Sequence, residues 1–486
     1  MVTLVHHIYL LSMQRYNLGN PFVLRNSAIR TRQDAAVGAG ECAKPRPRIH
    51  SSFHLPKRAH FMTTQLRALV NARLIDGTGG PARERSTVII GGERIVEVTD
   101  DRPLPVSVEV VDLGGATLMP GLIDCHTHHA AWAQSLVTHP EPLGLLVSQT
   151  VAALKVTVEA GITTARDLGG LERGFVDAVD RGVIPGPRLQ TSLIIVSPTN
   201  SLMDHHPVSG GAINSRGRYE IWPGLPEPWC DGPVAARAKV REVIRMGADV
   251  IKIAMTGSMT FAARRPHRPL FTEEELAAIV DEAHLEGIPV CAHAHGDPGA
   301  ILAVRAGVDT IEHGTYLTEE CAREMADRGT WYVPTMCISN WHSTLSQASV
   351  RDHTADMPAR HRESIARAVR LGVRIAAGTD TNPFHGFGRT GMELELLVEA
   401  GLTEAEAITV ATDHSSQCLG MSADVGTVAA GKFADLLIVD GDPHRDIHLL
   451  QDASRRTAVL KGGQFMSGSL LSIADAPSRR TTAVTA

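Results

Sequence analysis

Residues 271–296 read FTEEELAAIVDEAHLEGIPVCAHAHG. The first part has a helical period with acids in its first turn, and IPVCAHAHG follows as a buried-strand run. The pattern then repeats. PGAILAVRAG (298–307) is helical, VDTIEHG (308–314) a strand, TEECAREMADRG (318–329) helical and TWYVPTM (330–336) a strand. RHRESIARAVRLG (360–372) is helical again, and VRIAAGTD (373–380) is a strand. Strands alternating with helices that end in glycine imply a parallel sheet. Roughly eight such units across residues 121–422 suit a (β/α)8 TIM barrel better than an open sheet.

The flanks differ in texture. LRALVNARLIDGTGG (66–80), STVIIGGERIVEVTD (86–100) and VSVEVVDLGGATLMPG (106–121) are short β-rich runs punctuated by Gly and Asp. Similar runs return in VGTVAAGKFADLLIVDGD (425–442) and RTAVLKGGQFMSG (456–468). They predict one small sheet domain built from both chain ends, over residues 63–120 and 423–468. Residues 1–61 carry nine Lys/Arg against Asp34 and Glu41, a net +7, so the total of −6 leaves −13 on the remainder. With no sustained period and a Pro/Arg-rich stretch, residues 1–62 are expected to be a disordered extension, as is the small, polar tail 469–486. The opening MVTLVHHIYLLSM lacks the basic n-region and cleavage site of a signal peptide, although an Arg-rich, acid-poor leader resembles a transit peptide.

Composition excludes several classes. The 486 residues are 43% hydrophobic and 21% charged, and the seven cysteines form no CxxC pair. A disulfide framework or zinc ribbon is therefore not expected, and the balance suits a reduced, cytoplasmic setting. A pI near 6.4 gives no electrostatic basis for binding nucleic acid or an anionic membrane. No apolar run approaches the roughly 18 residues needed to span a bilayer. The chain does hold 23 histidines against 20 aromatic residues, so their positions matter.

In a barrel, chemistry belongs at the carboxyl ends of the strands. LMPGLIDCHTHH (118–129) puts His126 and His128 two apart, on one face of a strand. ADVIKIAMTGS (248–258) buries Lys252 in an apolar strand, where an unpaired ammonium is costly unless it is paired, neutralised or used. CAHAHGDPG (291–299) places His293 and His295 on one face, IEHGT (311–315) supplies His313, and AAGTDTNP (376–383) leaves Asp380 after a small-residue stretch. Imidazole and carboxylate together suit zinc or a similar first-row divalent ion. The other histidines need no function.

This set, with the phrases LMPGLIDCHTHH, GVDTIEHGTYL (307–317) and GTVAAGKFADLLIVDGDP (426–443), resembles the binuclear amidohydrolase superfamily over about residues 66–466. The lysine strand and AHAHG…IEHG look most like its prolidase-like branch, which includes Xaa-Pro dipeptidases and ochratoxin-type amidases. The resemblance implies that His126 and His128 bind the more buried metal and that Lys252, carboxylated by carbon dioxide, bridges two ions. It further implies that His293 and His313 bind the second ion, that Asp380 ligates the first, that the small sheet domain is a β-sandwich, and that such enzymes form homo-oligomers. Burial favours the neutral amine that carboxylation requires. A hydroxide shared by two metals would attack an amide carbonyl. Asp380 would act as general base then acid, and His295 would stabilise the oxyanion.

The expected substrate is a small molecule with a non-cyclic amide bond, such as a dipeptide or N-acyl amino acid. Arg264, Arg265, His267 and Arg268 lie in a loop that follows the lysine strand and could hold a carboxylate. Trp222 and Trp229 could line a pocket in the long stretch 203–233. TGSM replaces the branch's usual glycine-rich run after the lysine strand, which weakens any transfer of peptidase specificity. Three alternatives stay open: a hydrolase of xenobiotic amides, ureas or carbamates, a mononuclear deaminase or cyclic-amide hydrolase, and a non-catalytic scaffold. Deaminase relatives usually lack the strand lysine and tend to carry a glutamate after the histidine, where this chain reads AHGDPG.

Overall fold

In the computed structural model, the described residues are 66–468, apart from 101–102, 106, 131–141, 204–224, 260–266 and 345–353. The leader 1–62 and the tail 469–486 therefore lie outside the described residues. Strands β1 (Leu66–Leu74), β2 (Arg83–Gly91), β3 (Arg94–Thr99), β4 (Val108–Asp112) and β5 (Thr117–Pro120) come first. Near the other end come β14 (Leu436–Val439), β15 (Arg456–Lys461) and β16 (Gln464–Gly468). These eight form one sheet in the order β16-β15-β14-β5-β1-β2-β3, with β4 paired to β1.

Between them lie eight parallel-paired strands: β6 (Leu122–Thr127), β7 (Ile162–Asp167), β8 (Arg188–Thr191), β9 (Ile195–Val196), β10 (Ile251–Ala254), β11 (Val290–Gly296), β12 (Thr310–Tyr316) and β13 (Trp331–Val333). They make a three-stranded sheet β6-β7-β8 and a five-stranded sheet β13-β12-β11-β10-β9. Residues 373–380, expected as a strand, form no continuous ladder. They bond to both neighbours instead, through Ala376 N to Tyr332 O at 2.9 Å and Cys125 N to Ala377 O at 2.8 Å. Isolated parallel bridges Tyr332–Ile375 and Thr127–Thr381 complete this link.

Alternation along the strands explains how the sheets share apolar surface. Leu436 and Ile438 of β14 enter the small core of the eight-stranded sheet, with Leu69, Val88, Ile95 and Leu118. Leu437 and Val439, on the opposite face, enter the main core with Met119, Leu122 and Ile162. On β15, Leu460 and Val459 divide in the same way.

Helices α1 (Leu143–Glu159), α2 (Arg173–Asp180), α3 (Pro233–Arg245), α4 (Glu273–Leu285), α5 (Gly299–Ala306), α6 (Glu319–Arg328), α7 (Met336–Ser343), α8 (Met357–Arg370) and α9 (Thr390–Glu399) connect the parallel strands. The acids read at the start of α4 include Glu275, which forms a capping box with Thr272. Among the described residues no helix is long and apolar enough to cross a membrane.

The start of α7 is capped from a different helix. Glu393 of α9 accepts the amides of Met336 and Cys337, each at 2.8 Å. Burial outweighs these bonds and pushes its carboxyl up from 4.5 to about 8. Such a group contributes stability that is fully present below 4.5 and is lost as pH rises through about 8. We expect the unfolding free energy to decline across that window, with up to about 1.4 kcal/mol per pH unit from this group. Urea titrations at stepped pH should show Glu393→Gln with a flatter decline, and an unchanged slope would count against this assignment.

Candidate metal centre

The carboxyl ends of β6, β11 and β12 and the segment ending at Asp380 bring together five of the six residues expected to ligate metal by direct ring or ion-pair contact. His126, His128 and Asp380 offer donor atoms that all lie within 4.8 Å of one another. Asp380 Oδ1 stands 3.2 Å from His128 Nε2 and 3.5 Å from His126 Nε2. The rings of His293 and His313 are 4.5 Å apart, and His313 lies 4.9 Å from His126. Lys252, the sixth, pairs beside Cys291 in register, two residue pairs before Ala254 meets His293. It is 1% exposed, and its Nζ meets no hydrogen-bond partner among the described residues.

Gly378 explains how the last segment reaches this point. A Cβ there would lie 2.4 Å from Val333 Cγ1 and 2.8 Å from His126 Cβ, so only glycine allows the approach. His313 and Asp380 both adopt left-handed backbone, with φ of 72° and 55°. Non-glycine residues held there are strained, and such strain concentrates at functional sites.

Each imidazole is oriented from behind. His126 Nδ1 meets Glu312 Oε2 at 2.6 Å, His128 Nδ1 donates to Gly169 O at 2.9 Å, and His313 Nδ1 meets Thr335 Oγ1 at 2.8 Å. His295 Nδ1 meets Thr315 Oγ1 at 3.0 Å. This is the support that metal-binding histidines normally have. Arg166, 1% exposed, holds the first of these supports in place. Its Nη2 donates to Glu312 Oε1 at 3.1 Å and its Nε to Cys125 O at 2.8 Å, and Thr310 Oγ1 bonds the same Glu312 oxygen. Asp124 ties β6 to the Asp380 segment by accepting the amides of His126 and Thr379 and the hydroxyls of Thr379 and Thr390.

The electrostatics favour neutral bases. Burial, reinforced by Lys252, holds His126 well below the usual imidazole range and His293 at about 3. Burial also depresses His295 and His313, with the neighbouring His293 adding to it. Lys252 is lowered by burial, against the pull of Glu312. Burial acts against His128 as well, but its hydrogen bond to Asp380 holds it up, while the nearby His126 and His128 hold Asp380 down against its own burial. Neutral imidazoles at His126, His293 and His313, an ionised carboxylate and a depressed amine fit divalent ions. The orphaned Lys252 Nζ fits a carbamate better than a structural ammonium.

Other expected contacts divide. Arg264, Arg265 and Trp222 lie outside the described residues. His267 and Arg268 are exposed, with the His267 ring 4.9 Å from Tyr316. Trp229 pairs with Ser197 through a parallel backbone bridge. Sequence reasoning missed Arg166 and Glu312, because ITTARD around Arg166 is a polar run in which a charge does not stand out as Lys252 does. It also set aside His342 and His385, which the fold buries within electrostatic range of Asp380.

The sequence profile of the amidohydrolase family matches residues 117–466. An ochratoxinase from Aspergillus niger is 30% identical over 463 residues, covering 89% of this chain and 93% of that protein. A crystal structure of a prolidase complexed with N-methylphosphonate-L-proline superposes with a TM-score of 0.76 at 31% identity, covering 82% of this chain and 99% of the other. A Xaa-Pro dipeptidase with methionine bound in its active site gives a TM-score of 0.73 at 28% identity, with the same coverage. The α/β fold is TIM-barrel-like, as in these neighbours.

Proposed function

The chain belongs to the amidohydrolase family, in its ochratoxinase- and prolidase-like branch, and is a hydrolase of carbon–nitrogen bonds; on that premise we propose that it cleaves the non-cyclic amide of a small substrate such as a dipeptide or N-acyl amino acid. The observation that carries the binuclear form of this reading is the buried Lys252 Nζ without a partner, among His126, His293 and Asp380. We further read the parallel strands as a closed (β/α)8 barrel and the eight-stranded sheet as a sandwich domain, with support from the bonds of residues 373–381 to both β13 and β6.

His126, His128 and Asp380 would hold one divalent ion, His293 and His313 the other, and Lys252 both. Two such ions, zinc by the character of the donors, would supply an activated water at neutral pH and polarise the carbonyl. Lys252, neutral when buried, attacks carbon dioxide through its Nζ lone pair and loses a proton, becoming an anionic carbamate. Asp380 keeps Oδ1 against His126 and His128, which leaves Oδ2 to take a proton from the attacking water and pass it to the departing nitrogen. His295 Nδ1 meets Thr315 Oγ1, and in the tautomer where the hydroxyl donates, the proton sits on Nε2, where the ring can donate to the developing oxyanion.

Elemental analysis should find about two ions per chain, both lost with activity on chelation, and Lys252→Met should hold fewer. A single ion unaffected by Lys252→Met would overturn the binuclear reading. Hydrolysis of a panel of Xaa-Pro and Xaa-Arg dipeptides, N-acyl amino acids and phenylureas tests the substrate class.

A further inference from the structure

Two histidines unused by this mechanism stand beside it. His342 closes α7, and His385 follows Asp380 by five residues; they are 9% and 4% exposed. His342 Nδ1 and both ring nitrogens of His385 are buried and meet no hydrogen-bond partner among the described residues. Buried polar atoms are nearly always satisfied, so three orphaned nitrogens on adjacent imidazoles call for a ligand or water to complete them. Asp380 acts electrostatically on both rings, and His342 acts on His385 and on His295. The backbone keeps His385 near the proposed proton shuttle, since Asn382 Nδ2 donates to Asp380 O and Asn382 Oδ1 accepts the Phe384 amide in the turn between them. Burial lowers both to about 4, so at neutral pH each ring presents one donor and one acceptor rather than a positive charge.

Aromatic rings lie alongside. Trp341 is 5.8 Å from His385 and 5.3 Å from His342. It also stacks on Phe384, at 6.5 Å with 28° between planes. Phe384 is 54% exposed, so part of its ring is open to a ligand. A planar group can lie against such rings, while the imidazoles meet its polar atoms.

We propose that Trp341, His342, Phe384 and His385 form a substrate subsite for an uncharged aromatic group bearing an amide or carbonyl, next to the scissile bond. The subsite deepens the amide-hydrolase reading and rests on it for its place beside the reacting atoms. Neutral imidazoles select a polar group without attracting an anion, so the subsite discriminates by hydrogen bonding, which rejects analogues lacking the polar group strongly.

Benzamide is the probe, with benzoate and acetamide as controls, followed by saturation-transfer NMR and tryptophan fluorescence on the full chain. The expected result is that the wild type binds benzamide better than either control. His385→Leu and Phe384→Ala should weaken benzamide binding about tenfold or more, and His385→Gln should retain most of it. Thermal unfolding separates recognition from a structural role, because His385→Leu removes unpaired polar atoms and should leave the midpoint unchanged or raised. Wild type that fails to bind benzamide, or equal binding by wild type, His385→Leu and Phe384→Ala, overturns the subsite. Binding that depends on His385 in a chain that neither holds metal nor hydrolyses amides overturns the hydrolase mechanism and leaves the subsite standing.

Discussion

Asp380→Asn is expected to lower kcat by about two to four orders of magnitude while the protein still folds and still holds metal. Asparagine keeps the size of the side chain and an oxygen that can face His126 and His128, now 3.5 and 3.2 Å from Asp380 Oδ1. It cannot accept and return a proton. The nearby imidazoles hold the carboxyl strongly acidic in the metal-free chain, so it stands ionised at any working pH and ready to act as base. Turnover, metal content and a pH–rate profile measured together separate the roles. Near-normal turnover with metal retained sinks the shuttle. Loss of metal along with activity would show that Asp380 serves as a ligand first.

The second large effect is on stability. Arg166→Met should cost about 3–5 kcal/mol, because it leaves Glu312 buried without its cation. Glu312 is 0% exposed and is held by Arg166 Nη2, Thr310 Oγ1 and His126 Nδ1. Once freed, its carboxylate no longer fixes the His126 ring, and metal affinity should fall about 10–100-fold. Urea unfolding curves and metal titration read the two effects separately. The double variant Arg166→Met/Glu312→Gln should recover much of the lost stability, since it removes the uncompensated charge as well. If the single variant costs under about 1 kcal/mol, the pair provides no charge compensation of that kind.

Much of the candidate site was legible because its residues obey strand alternation. His126 with His128, and His293 with His295, need only a period of two to be placed on one face, and Lys252 stands out by its charge in an apolar run. The helices were legible from their own period of about 3.6 residues, and α4 adds a capping box at Thr272 and Glu275 that marks its start. The residues that support the ligands were not. Arg166 and Glu312 lie 146 residues apart, and Glu393 caps a helix 57 residues earlier, so no local pattern joins them. His342 sits on a helix and His385 on a loop, and neither shares a period with the strand histidines. The segment 373–380 misled for a local reason: Gly378 and the left-handed Asp380 bend it where it serves the site, so it bonds to its neighbours without forming a ladder.

The four residues of β14 feed two cores from opposite faces. A single-residue insertion or deletion there would exchange Leu436 and Ile438 for Leu437 and Val439 in both cores at once. Sequence length in this strand is therefore fixed more tightly than its composition, since any of several aliphatic residues fills either side but none corrects a slipped frame. The last stretch of the chain thus constrains the strands below the metal centre without touching it.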